Sequence, residues 1–289
     1  VDVMDIRRGG LLAYRTALGV TGENVANVDT PGYRRRDAVM RETGPGTGVE
    51  VTDIRRAFDA LMAGRTRDAQ SAEGAARTYL THVQALEDRM LPGEGGLPDL
   101  LDGFFDALDG LSLAPSNRGL RQAMLSAGEA LAGGVSDLAQ GLESLARDVT
   151  AETAQAVDEI NITLAGLADL QAQLARTTDS GARNPLLDRR DAMLGDLARL
   201  VEVEVTLDDR GRARLRLGAT GSGPVLLEEG RAGRIEMAGD GRLTAVPADA
   251  DAPRVQVSVS GGVMGGLSDA GGAIAQAQGD LDLRFGVFN

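Results

Sequence analysis

The chain of 289 residues has no cysteine, no tryptophan and a single histidine. Without cysteine there is no disulfide framework and no thiolate metal site. The absence of a free thiol is compatible with life outside the cell. The one histidine, His82, lies inside a helical pattern with no partner His nearby, so it reads as a structural or surface residue. A Ser-His-Asp triad would have to use it, and nothing beside it in the sequence supports one. Long apolar runs are missing too. A membrane-spanning helix needs about twenty apolar residues, and no such run occurs. The N-terminus, VDVMDIRRGGLLAYRTALGV, lacks a long apolar core followed by a cleavage site, so it does not read as a Sec-type signal. Positive charge is scarce: the net charge is -13. Nucleic acid and anionic membranes repel a chain this acidic, and neither is expected as a partner. The triple arginine at Arg34–Arg36 is a local exception and reads as a solvated loop.

What the chain has is helical period. Met4, Leu11, Leu18 and Val25 repeat every seven residues, and Tyr14 and Val28 occupy the offset position. That is a narrow apolar stripe of coiled-coil width, which must be buried against something. Gly9, Gly10, Gly19 and Gly22 weaken the helix by about 1 kcal/mol each relative to Ala. The segment is therefore expected to be marginal alone: disordered in solution, or borrowing burial from another copy or from the long helix. RETGPGTG, residues 41–48, reads as a linker, and VEVTDI after it as a short strand. A second helix is expected over about 57–90. Its seam positions are Met62, Ala69, Ala76, Val83 and Met90 with Phe58, Ala72, Tyr79 and Leu86. LPGEGGLP breaks it, DLLDGFFDALDGLS forms a short amphipathic helix, and Ser116 or Asn117 caps the next one.

The longest helix is expected from about Asn117 to Arg176, roughly 90 Å at 1.5 Å per residue. Val135, Leu142, Val149 and Ala156 repeat along it, as do Leu131, Leu138 and Leu145, and later Ile160, Leu167 and Leu174. Asn184 with Pro185 in the first turn opens a further helix. Then the period drops to two. Val203, Val205 and Leu207 alternate with polar residues, as do Ala213, Leu215 and Leu217 after DDRGR. Leu207 set opposite Ala213 matches the faces and pairs Glu204 with Arg216. PVLLE, GRIEM, GRLTAV and PRVQVSVS continue a small β module, and helical pattern returns after GGVMGGLSDAGG. The fold class is mainly α, a long-helix bundle or coiled coil with a smaller antiparallel β domain. The segments are an N-terminal helix and loop over 1–40, a helical bundle over 41–201, the β domain over 202–260 and a returning helix over 261–289.

No motif carries catalysis. The acids of LLDRRD at 186–191, and those at 158–160, read as salt bridging on solvated faces. GPGTG lacks the Lys-Ser/Thr that a phosphate loop needs. No cofactor and no metal are expected.

ANVDTPGY, Ala26 to Tyr33, matches the Ala-Asn-x-x-Thr-Pro-Gly-Tyr signature of the flagellar rod, hook and hook-associated proteins. The preceding ALGVTGENVAN is similar to that family's N-terminal helix. GVEVTDIRRAFDALMAGRTRDA, FFDALDGLSLAPSNRGLRQAMLSAGEALA, NPLLDRRDAMLGDLARLVEVEV and GGVMGGLSD resemble the family's hook-associated branch, across nearly the whole chain. The resemblance implies an extracellular structural subunit that joins hook to filament and has no enzymatic activity. It would be exported by the flagellar type III route without cleavage. The implied partners are other copies of itself in the axial tube, the hook protein, a second junction protein and a flagellar export chaperone. The family's C-terminal core helix is not recognisable in this sequence. A distal rod or hook subunit is the alternative within the family, and an adhesin or enzyme on a helical stalk the alternative outside it.

The expected assembly interface is the stripe Met4, Leu11, Tyr14, Leu18 and Val25, followed by Asn24, Asn27, Thr30, Pro31, Gly32 and Tyr33. Asn tolerates a left-handed cap at a helix end, Pro31 cannot continue a helix, and Gly32 permits a turn. Tyr33 offers a ring and a hydroxyl to an interface.

Overall fold

The computed structural model describes residues 3–44, 47–91, 93 and 95–286. Pro45 and Gly46 of the expected linker, Pro92 and Glu94 of the expected helix break, and the chain end at Asn289 lie outside the described residues. The described elements are α1 (Val3–Ala26), β1 (Arg36–Glu42), β2 (Val49–Arg56), α2 (Ala60–Met90), α3 (Leu97–Leu113), α4 (Arg118–Arg176) and α5 (Ser180–Leu200). They continue as β3 (Val203–Leu207), β4 (Ala213–Leu217), β5 (Val225–Glu228), β6 (Arg231–Ala232), β7 (Arg234–Met237), β8 (Leu243–Val246), β9 (Val255–Val257) and α6 (Gly262–Phe285). The protein is thus mainly helical with a smaller antiparallel β part.

The chain falls into two compact units. One is Val1–Glu73 with Val157–Gly262, the other Gly74–Ala156 with Val263–Asn289. The division runs through α2 and α4, so the segment 41–201 is shared between them.

In the first unit the strands form three sheets, β1-β2, β3-β4-β5-β6 and β7-β8-β9. The β3–β4 register places Leu207 opposite Ala213 and Glu204 opposite Arg216. The last two do not form an ion pair, because the Arg216 guanidinium donates to the Gly223 carbonyl at 3.0 Å. Period-two alternation puts Ala213, Leu215 and Leu217 into the core, beside Leu226, Leu227 and Ile235. They meet Ile160, Leu164, Leu167 and Leu174 of α4 and Leu194 and Leu197 of α5, none more than 1% exposed. Asn161 holds a strand edge in place. Its side chain donates to the Ile235 carbonyl at 2.9 Å and accepts from the Ile235 amide at 2.8 Å.

In the second unit the heptads of α4 are core, with Val135, Leu142, Leu145, Val149 and Ala156 all buried. Met264, Leu267, Ala270, Ile274 and Leu281 of α6 complete this interior. His82 is buried and its Nε2 lies 2.8 Å from Glu152.

Several expectations from sequence give way. Residues 36–42 are a strand that takes Arg41 and Glu42 from the expected 41–48 linker, and β1 and β2 form a hairpin. An isolated two-stranded hairpin is marginal, and nothing in RRRDAVMRE announces the long-range support this one receives. α5 begins at Ser180, capped by Asp179, whose carboxylate accepts from the Ala182 amide at 2.8 Å. Asn184 is therefore not the cap but a buried residue inside the helix, and its side-chain amide donates to the Ile54 carbonyl at 2.7 Å. Met62, Tyr79 and Met90 of the expected α2 seam are 59%, 40% and 42% exposed. Leu86 of that seam is buried as expected, and the rest of the inward face of α2 is Ser71, Gly74, Ala75, Thr78 and His82. Small residues win there because α6 comes very close: a Cβ added to Gly266 would lie 2.5 Å from the Ala75 carbonyl oxygen.

Candidate assembly surface

α1 has two apolar faces and buries the less obvious one. Ala13 and Val20 are buried, and Ile6, Gly9, Gly10, Ala17 and Asn24 are half-buried on the same side. This side packs on the β1–β2 hairpin. The approach is close, since a Cβ at Gly48 would lie 3.4 Å from Ile6 Cα and one at Gly9 would lie 3.5 Å from the Val49 carbonyl oxygen. The in-chain partner of α1 is thus the hairpin, a partner the sequence did not reveal.

The expected stripe lies two residues out of phase with this buried set, about 160° around the helix at 3.6 residues per turn. Met4, Leu11, Tyr14, Leu18 and Val25 are 65%, 72%, 64%, 72% and 69% exposed. Val28, beyond the helix, is exposed too. Scattered exposed apolar residues need no explanation, but a contiguous stripe of them marks an interaction surface.

The remaining expected residues fold onto one another. Asn24 stands at the end of the inward face and treats Arg36 as a strand partner. Its Oδ1 accepts from the Arg36 amide at 2.9 Å and its Nδ2 donates to the Arg36 carbonyl at 2.8 Å. The same Oδ1 accepts from the Tyr33 hydroxyl at 2.9 Å. Asn27 Nδ2 donates to the Glu23 carbonyl at 2.9 Å, and its Oδ1 accepts from the Thr30 hydroxyl at 3.2 Å. Neither asparagine is left-handed; among the described residues Glu229 alone has positive φ without being glycine. Thr30-Pro31-Gly32-Tyr33 is a turn closed by the Tyr33 amide on the Thr30 carbonyl at 3.1 Å. Pro31 supplies the fixed φ of its second position and Gly32, at φ +81°, the positive φ of its third, the signature of a type II turn. Tyr33 is spent inside the chain. Its ring stacks 4.9 Å from the Arg36 guanidinium. Burial pushes its hydroxyl pKa up, with Arg36 opposing and Glu23 and Asp188 assisting.

Arg36 is not a solvated loop residue, since its side chain is 11% exposed. It stands opposite Arg56 in the hairpin register. Two like charges placed directly across a ladder repel. Asp188 of α5 bridges them, 3.2 Å from Arg36 and 2.5 Å from Arg56. Asp191 then joins Arg56 to Arg190. The side chains of Arg56, Asp191 and Arg190 are 5%, 8% and 2% exposed. The acids at 188 and 191 therefore lie inside, not on a solvated face. Their i, i+3 spacing was visible in the sequence, whereas their arginine partners, apart from the adjacent Arg190, came from the unseen strand β1 and from β2. Phe58 covers Arg56 and Arg190 at 5.0 and 5.7 Å. The hairpin is thus held at both edges by helix side-chain amides, Asn24 on β1 and Asn184 on β2, and at its open end by buried ion pairs.

Among the described residues no group of three or more His, Asp and Glu could hold a metal ion. Also among them, no helix is long and apolar enough to cross a membrane. The class these features define is a helical bundle with an antiparallel β module, whose N-terminal helix turns its large apolar side chains outward beside a Pro-Gly turn.

Residues 83–284 match the family model described as flagellar hook-associated protein FlgK helical domain, and residues 4–34 match that of the flagella basal body rod protein. The chain belongs to the flagellar hook-associated protein FlgK family, whose members are structural components of the flagellum. It is 26% identical to flagellar hook-associated protein 1 of Escherichia coli over 89% of this chain and 47% of that protein. It is 28% identical to the Salmonella typhimurium protein of the same name over 86% of this chain and 45% of the relative. For the Bacillus subtilis protein of that name the identity is 25% over 78% and 47%. The chain thus spans about half the length of these curated relatives. The flagellar hook junction protein FlgK from Burkholderia pseudomallei shares the fold, with a TM-score of 0.63 at 21% identity over 72% of this chain and 38% of that one.

Proposed function

We propose that the chain works as a structural subunit at the junction between flagellar hook and filament, without catalysis. One observation carries this reading: α1 is anchored by its small-residue face, so its large apolar stripe is presented ready-made to a partner. Leu11, Tyr14, Leu18 and Val25 line that surface, and the turn from Thr30 to Tyr33 fixes where the chain leaves it. The partners that fit are other copies of the chain in the axial tube, the hook protein and a second junction protein, with an export chaperone covering the surface beforehand. Assembly outside the cell, after type III export without cleavage, fits the same reading.

The test is Leu18→Asp in the protein as the bacterium makes it. The variant should fold and be exported, yet leave hooks without filaments, as deletion of the gene should. Normal filaments on either strain, seen by electron microscopy, would overturn the proposal.

A further inference from the structure

Beside the Pro31-Gly32 turn a groove of about 430 Å³ opens, walled by α2 and α5. Its charges do not balance. Asp196 on the rim is paired with Arg199. Asp191 on the floor already serves Arg56 and Arg190. Arg34 and Arg67 also line the groove, and among the described residues neither has a carboxylate within ion-pair distance. Arg67 is half-buried. Loss of water draws its pKa below the usual arginine value, with Asp191 and Asp68 opposing and Arg190 assisting. The ion cluster behind it has no carboxylate to spare, since Asp188, Asp191 and Glu23 already pair with Arg36, Arg56 and Arg190, and Arg36 Nε is buried without a hydrogen-bond partner.

A desolvated guanidinium without an anion is costly. Its planar fork suits a carboxylate bound through two parallel hydrogen bonds. The chain has no lysine at all, so every cation in the groove is of this kind. The net charge of -13 means that a second copy brings carboxylates in excess to a pocket of opposite sign. The groove also adjoins the turn that ends the apolar stripe, so one neighbour could cover both.

We infer that this groove is an inter-subunit carboxylate socket: an Asp or Glu side chain of a second copy of this chain inserts beside the Pro31-Gly32 turn and pairs with Arg67 and Arg34. The inference rests on the reading of the chain as an axial subunit. It adds a polar specificity contact to the apolar one, fixing the register between copies that a smooth apolar stripe leaves loose.

A photo-cross-linking residue at Thr66, which lines the groove, tests it in flagella of the native bacterium. The expected result is a cross-link between two copies. Arg67→Glu should lower its yield at least about tenfold, equivalent to about 1.4 kcal/mol of association, while Arg67→Lys lowers it less. The Arg67→Glu chain should keep the parent melting temperature; a loss of folding that accounts for the lost cross-link would overturn the assignment. So would cross-links at Thr66 only within one chain or only to a different protein. A parallel cross-linker at Leu18 reports on subunit packing itself. Cross-links at Leu18 with none at Thr66 overturn the socket alone; none at either position overturns the subunit reading as well.

Discussion

α1 and α4 carry the same seven-residue spacing of large apolar side chains and use it in opposite senses. Along α4, Leu142, Ile160, Leu167 and Leu174 are at most 1% exposed. Along α1, Leu11 and Leu18 are 72% exposed while Ala13, on the far side, is 3%. α2 follows α1, with Leu61, Met62 and Leu80 outward and Ser71 and His82 inward. The neighbour explains the difference. α4 contacts other helices and the β module through side chains, at separations that leucine fills. α1 lies against a hairpin and α2 against α6, and the points of closest approach fall at glycines, Gly48 against Ile6 and Gly266 against Ala75. A heptad therefore reports an apolar face, but not whether the rest of the chain covers it.

The largest effect should come from cutting both stripes identically. Leu167→Ala removes a fully buried side chain and should cost about 2–5 kcal/mol. Leu18→Ala, at the same kind of heptad position, should change stability by no more than about 0.5 kcal/mol. Paired chemical denaturation measures both, and equal costs would mean that α1 buries its stripe within the chain. Next in size is the small-residue face. Ala13→Leu adds bulk where α1 meets the hairpin and should cost about 1–3 kcal/mol. Faster amide exchange, concentrated in Val3–Ala26 and Arg36–Arg56, reads it out; unchanged exchange would place the contact elsewhere. Removing the clamp, by Asn24→Ala, leaves the Arg36 backbone groups and the Tyr33 hydroxyl without their partner and should cost about 1–2 kcal/mol. Asn24→Asp should recover only part of this, because a carboxylate accepts but cannot donate to the Arg36 carbonyl.

The smallest effect lies in the β module, built in the ordinary sense with apolar residues in and charges out. In the Asp208–Arg212 loop, desolvation of the Asp208 carboxylate is outweighed by hydrogen bonds from the Arg212 amide and guanidinium, which hold its pKa below the usual value. A depressed folded-state pKa stabilises above the unfolded value, near 3.9, and that stability is lost as pH falls through the folded one. Asp208→Asn should therefore slightly lower the melting temperature at pH 7, by a difference that shrinks as pH falls below the unfolded value. A difference of equal size on both sides of that value would assign the loss to the side chain's hydrogen bonds and not to its charge.

The helices and the β3–β4 register were legible because both depend on local period. A seven-residue repeat over the 59 residues of α4 leaves one helical face to bury, and a two-residue alternation permits one matching register for Leu207 and Ala213. The Thr30–Tyr33 turn was legible for the same reason, since proline and glycine constrain their own φ. β1 was not, because Arg36 becomes a strand residue only when Asn24 and Asp188 supply its edge partner and its counter-ion. Neither was Asn184, which from its place before Pro185 looked like a cap and serves instead as the clamp on Ile54.

Within the candidate assembly surface the sequence by itself determined which residues were apolar, where the helix ended and how the chain turned. It left undecided which face of α1 the rest of the chain would cover. That choice fell to the tertiary structure, because a hairpin backbone lying against α1 admits Gly9 and Ala13 but not Leu11 or Leu18, and so the large side chains remain at the surface.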